Sequence, residues 1–399
     1  MKKQYWYLIV IVIVIVFVTC RNPGNNDPDN GNGEEIIFEQ AADINIGSES
    51  SIPQHLIEYG GELYFSADDG SSTGRELWKY DGSGAELAVD INSSGDSSPL
   101  NFYEFGSVLV FQAEDGTNGR ELWKYDGGGA DLVNDINSGS SSSPNSFAVF
   151  TGDLYFAALP SGFASVLYSW NGTDDPAAVT GLTTNYPGDL IVYDSKLHYR
   201  ASDGTDSELW SFNGSTETQI PDIGVGTESG NPNELTVYDG KLYFRGSADG
   251  SDKELWVYDG FNNPQEIEIN ASGAADPAGF VVYDGALYFS ADGGSDGVEL
   301  WRYSGSESPQ QVADIAEGSQ GSNPEYLTVY EGKLYFSADD GVHGVELWSY
   351  DSVAGAVTLE KDINSSGDGN PSYLTVFDTY LYFAADDGNT GAELWRFAP

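Results

Sequence analysis

The 399-residue chain sets 63 Asp and Glu against 16 Lys and Arg, a formal charge of −47 at pH 7. Such a surface excludes nucleic acid, and an anionic membrane face, as direct partners, because the fields repel. One cysteine rules out an internal disulfide, and with only three histidines beside it the usual nucleophile and base chemistry has little to draw on.

In chain order, Lys2 and Lys3 precede an unbroken apolar run of 14 residues, Tyr5 to Val18. A spanning helix needs about 20, so the run fits a secretory h-region. It ends Phe17-Val18-Thr19-Cys20, which resembles the lipobox of bacterial lipoproteins, although Phe17 and Thr19 depart from the usual leucine and small residue. The resemblance implies that residues 1–20 are a signal peptide and Cys20 the lipidation site. It places the chain in the bacterial cell envelope, at the outer membrane, with the membrane as partner through the lipid anchor. A signal segment left uncleaved, or cleaved in the ordinary way, is the alternative. Residues 21–35, RNPGNNDPDNGNGEE, hold nothing able to join a core and read as a flexible tether.

From residue 36 onward the sequence repeats. Leu-Tyr-Phe runs such as Leu63-Tyr64-Phe65 are followed by Glu-Leu-Trp runs such as Glu76-Leu77-Trp78, in eight copies 42 to 47 residues apart. Each copy reads as four short strands. In the fifth, Leu235 to Tyr238 is strand a, Leu242 to Phe244 strand b, Glu254 to Tyr258 strand c, and strand d ends at Glu266-Ile267. Asp239-Gly240 between a and b signals a hairpin, because a type I′ turn needs positive φ at both central residues. Four antiparallel strands at this period signify propeller blades. The chain ends on a strand c, Glu393 to Phe397, while Ile36 to Ile44 reads as an orphan strand d. Residues 36–399 are therefore expected to form an all-β, eight-bladed β-propeller of four-stranded antiparallel blades, closed by the N-terminal strand pairing into the last blade. A pair of sandwiches is the alternative.

The runs Glu76-Leu77-Trp78-Lys79-Tyr80-Asp81-Gly82 and Glu121-Leu122-Trp123-Lys124-Tyr125-Asp126-Gly127 resemble the ELWxxDGT repeats of bacterial secreted and surface proteins. That resemblance implies fold and export, and no shared activity. The third copy departs most, with Val166 and Tyr168 in place of Glu and Trp.

In a propeller the b-to-c and d-to-a loops share one face. The b-to-c loops carry Asp68, Asp69, Asp115, Asp339, Asp340, Asp386 and Asp387, which makes these the candidate metal ligands, calcium being the hard cation such oxygens suit. No loop has the D-x-D-x-D-G spacing of an EF-hand. The competing reading is that Asp and Asn close their own turns, with no cofactor. The seven strand-c glutamates are expected to accept backbone N–H bonds from a neighbouring hairpin. His55, His198 and His343 fall in three different copies, and no nucleophile elbow, H-E-x-x-H pair or phosphate-binding glycine loop occurs. Exposed aromatics such as Phe163 or Tyr186 suit stacking on a sugar. These observations lead to the expectation of a non-catalytic, lipid-anchored envelope protein that binds a protein or glycan. A carbohydrate-active or other hydrolase with a pocket over the central channel, and a calcium-dependent surface or adhesion protein, are the alternatives.

Overall fold

The computed structural model describes residues 36–399, so the signal peptide, Cys20 and the tether lie outside the described residues. Among the described residues there are 32 strands and no helix, and the strands form eight four-stranded antiparallel sheets. The expected eight-bladed propeller is what the chain builds. Blades one to seven span 54–89, 100–134, 145–178, 185–219, 233–267, 278–313 and 325–361, and blade eight combines 372–398 with the first strand, Ile37–Ala42.

The repeat wording follows from burial on two sides. In blade one, Leu63, Phe65 and Ala67 of strand b pair with Tyr80, Trp78 and Glu76 of strand c, so all six side chains share a face. That face packs on Phe377, Tyr382 and Leu394 of blade eight. Tyr64 and Leu77 point the opposite way, into a cluster with Phe111 and Trp123 of blade two. A strand wedged between two neighbours must be apolar at every position, which is why strand b reads Leu-Tyr-Phe without alternation. Glu-Leu-Trp encodes the same arrangement: leucine meets the following blade and tryptophan the preceding one.

The ring closes as expected. Ile37, Phe38, Glu39 and Gln40 pair antiparallel with Ala398, Phe397, Arg396 and Trp395. Phe38 lies 5.2 Å from the Trp395 ring, and Arg396 Nε donates to Glu39 Oε1 at 2.8 Å. Closure completes blade eight, so its outer edge is a short d strand like that of the other seven blades.

The a strands form the inner wall. Each touches the a strands of the blades on either side, and those of blades eight and one meet as well, with Thr375 Oγ1 donating to the Leu56 carbonyl at 3.3 Å. The tyrosine ending strand a latches the next blade: Tyr193, Tyr238, Tyr283 and Tyr330 donate to carbonyls of Gly240, Gly285, Gly332 and Thr379 at 2.6 to 3.1 Å. Blades two, three and eight carry Phe105, Phe150 and Phe377 there and have no such hydroxyl. The a-to-b hairpin is the turn the sequence asks for, with φ of 45° at Asp239 and 69° at Gly240.

Candidate functional site

On one face, b-to-c loops lie against the d-to-a loops that precede their blades. A Cβ on Gly70 would fall 2.7 Å from the Asn45 side chain, and one on Gly116 or Gly388 would fall 3.0 or 2.8 Å from Asn92 or Asn364. The two loop sets do share a rim. The b-to-c carboxylates, however, close their own turns. Asp68, Asp339 and Asp386 each accept the N–H two residues on at 2.7 to 2.8 Å. Asp69 accepts from Ser71, Asp115 from Thr117 and Asn118, Asp340 from Val342 and His343, and Asp387 from Asn389 and Thr390. Among the described residues, no three His, Cys, Asp or Glu side chains gather where a metal ion could sit. This donor set does not fit calcium, since such a site needs six to eight oxygens around one point.

The strand-c glutamates are fully buried in seven blades. Glu76 accepts the Ile91 and Ser97 N–H groups at 2.7 and 2.9 Å and the Ser97 hydroxyl at 2.6 Å. Glu121, Glu299 and Glu393 repeat this with Ser142, Ser322 and Ser51. The backbone-acceptor role is as expected, but the donors differ: they come from the d-to-a loop leading to the next blade rather than from a hairpin. The glutamate therefore pins the blade-to-blade crossover. In blades four, five and seven the serine is replaced by Gly230, Ala275 and Gly369, leaving Glu208, Glu254 and Glu346 with N–H donors alone. Burial pushes the Glu254 and Glu346 carboxyls up to about 7, against the backbone bonds that pull them down.

The histidines stay apart. His55 lies tilted against Tyr373 with ring centroids 5.0 Å apart, and burial lowers its basicity. Burial takes His198, between Tyr193 and Tyr258, down to about 4. His343 Nδ1 lies 2.7 Å from Asp340 Oδ2, a bond that raises its pKa, but no serine, threonine or cysteine side chain is bonded to that imidazole. Phe163 of the divergent third copy and Tyr186, at the start of blade four, are both exposed, and the Tyr186 hydroxyl donates to the Phe163 carbonyl at 3.1 Å.

The opposite face holds what sequence reading missed. The residue before the strand-a tyrosine or phenylalanine is Val149, Val192, Val237, Val282, Val329 or Val376 in blades three to eight, each 38 to 45% exposed beside the a-to-b turn. Blades one and two carry Glu58 and Glu104 there. Two clefts open at this mouth. One, of about 490 Å³ between blades eight and one, is lined by Val376, Phe377, Asp378, Glu58 and Asp81. The other, of about 360 Å³ between blades four and five, is lined by Val192, Val237, Phe261, Asp194 and Asp259.

No family model matches the chain, and no curated protein matches it. Solved structures do. A prolyl endopeptidase, from a study of interdomain dynamics in catalysis and specificity, aligns with a TM-score of 0.56 at 13% identity, over 86% of this chain and 55% of its own. A puromycin hydrolase aligns at 0.51 and 12%, over 87% and 60%. A puromycin-hydrolysing peptidase of Mycobacterium tuberculosis aligns at 0.52 and 8%, with the same coverage. At such identities the likeness is one of fold, and the chain spans 55 to 60% of the length of these structures.

These neighbours correct the expectation of a non-catalytic binding platform that is not an enzyme. The propellers that superpose on this one occur in hydrolases. Blade residues are fixed by packing and crossover capping, so the repeats are silent about hydrolysis whether or not the propeller takes part in it.

Proposed function

We propose that this chain works in peptide hydrolysis as the propeller of a peptidase-type hydrolase, admitting and holding substrate, with the bond-breaking groups supplied from beyond the described residues. The observation that carries this reading is the alignment of 86% of the chain with a prolyl endopeptidase. The apolar, acid-edged opening supports it, since an exposed apolar wall in an otherwise charged surface is a contact surface for something. The envelope address expected from Cys20 is part of the proposal, and would put the activity where extracytoplasmic peptides are met. The test is to isolate the full chain from its own host in mild detergent and assay fluorogenic peptides, including prolyl peptides and aminoacyl amides. Cleavage that follows the chain through purification and disappears from a deletion strain is the expected result. A preparation inert on every peptide would overturn the reading.

A further inference from the structure

We propose that the clefts at the valine-lined mouth are subsites for basic side chains of a peptide, each taking an aliphatic stem on its floor and a cationic head between its carboxylates. The inference takes one thing from the proposed function, that the ligand is a peptide; the preference for lysine and arginine comes from the clefts themselves.

The two clefts sit at different blade junctions and share one design. Val376 and Phe377 floor the first, with Glu58, Asp81 and Asp378 at its edge. Val192, Val237 and Phe261 floor the second, edged by Asp194 and Asp259. Phe261 is 88% exposed at the tip of its turn, where burial by a ligand would remove a large ring from water. Neither cleft is lined by a Lys, Arg or His, so no cation sits beside the carboxylates around the apolar base, although Asp81 and Asp259 each accept N–H bonds within their own turns. A wholly apolar ligand would strip water from the carboxylates without replacing it. A small inorganic cation would leave the floor exposed. Lysine and arginine satisfy both halves, as their methylene stems lie on apolar surface while the charged head stays at the edge. A neighbouring hollow of about 470 Å³ on blade five shares Asp259 with the second cleft and has Val257 in its lining, but Lys241 and the amides of Asn262, Asn263 and Gln265 line it as well, so it is not purely acid-edged.

The acceptor geometry allows a clean test. Glu58 Oε1 accepts the Gly61 N–H at 3.1 Å, a bond that Gln retains. Asp378 has φ of 52°, which Asn tolerates. The double variant Glu58→Gln with Asp378→Asn thus removes two charges and keeps the turn. Asp69→Asn with Asp340→Asn makes the same charge change on the opposite rim. Binding of a fluorescein-labelled hexapeptide alternating leucine and lysine is followed by anisotropy at 0.15 M salt on the full chain. Melting curves check that each variant folds.

The expected result is at least tenfold weaker binding for the cleft variant and less than twofold for the rim variant. Replacing lysine by glutamine, or leucine by serine, should each cost about tenfold. Equal losses from both double variants, equal affinity for the glutamine peptide, or spermidine competing as well as unlabelled peptide would show charge alone at work and overturn the proposal. A peptide bound in the cleft but never cleaved would sink the hydrolase reading and leave this one standing. Cleavage indifferent to lysine and to the cleft variant would do the reverse.

Discussion

Ala275→Ser tests the reading of the buried glutamates. Ala275 is fully buried, and its N–H reaches Glu254 Oε1 at 3.2 Å, the position from which Ser97 serves Glu76 in blade one. The backbones correspond: residues 275 and 276 both donate to the Lys253 carbonyl, as 97 and 98 do to Arg75. A serine here should place its hydroxyl on Glu254 as Ser97 does at 2.6 Å on Glu76. A hydrogen bond to a charged group contributes about 1.5–3 kcal/mol. The hydroxyl's own desolvation offsets part of that, leaving about 1–2 kcal/mol at pH 8, where Glu254 is ionised. For a fold of about 360 residues the unfolding entropy is roughly 0.75 kcal/mol/K, so Tm should rise by about 1–3 °C. Differential scanning calorimetry at pH 8 and pH 5 is the assay. The gain should shrink at pH 5, where a protonated Glu254 has less to receive from the hydroxyl. An unchanged or lowered Tm at pH 8, or a gain larger at pH 5, would refute the crossover-pin argument.

Three further outcomes follow from the same structure. Burial raises Glu254 and Glu346 to about 7 from an ordinary 4.5. The folded chain therefore holds these two protons more tightly than the unfolded chain. Their contribution is whole below about pH 4.5 and is lost as pH rises through 7, so Tm should fall between pH 5 and pH 8; a Tm that rises across that window would contradict the shift. Phe38→Ala, in the closing strand, should cost about 2 kcal/mol, half the usual core value because Phe38 is only half buried. A chemical-denaturation midpoint unmoved by that change would mean the seam carries no stability. Cys20→Ser should abolish labelling of the protein by radioactive palmitate and release it from membranes; retention by the membrane fraction would remove the lipid anchor from the account.

The architecture was legible because one physical constraint recurs eight times. Leu63-Tyr64-Phe65 is apolar at every position since blades press on both its faces, and Asp239-Gly240 must turn with positive φ. The orphan strand at 36–44 and the missing strand after residue 397 could be matched by counting. The rim carboxylates were placed correctly on one face, and their turn-closing role was one of two readings the residues allowed. What local pattern could not give was the meaning of exposure on strand a. In Thr236-Val237-Tyr238, alternation separates valine from tyrosine but does not say which side is covered by a neighbouring blade and which is left half open beside a cleft. That depends on ring curvature, a property of eight blades together. The donors to Glu76 were misassigned for a related reason, as the d-to-a loop that serves it lies 15 to 21 residues further along the chain.

Peptide cleavage by the native protein tests the central claim most directly. Full-length chain from its own host and the same preparation from a strain carrying the Glu58→Gln, Asp378→Asn variant are compared on a lysine-containing fluorogenic peptide. The account predicts turnover by the first and at least tenfold lower kcat/KM for the second, with both folded to the same Tm. No turnover by the native protein on this or any other peptide would contradict it.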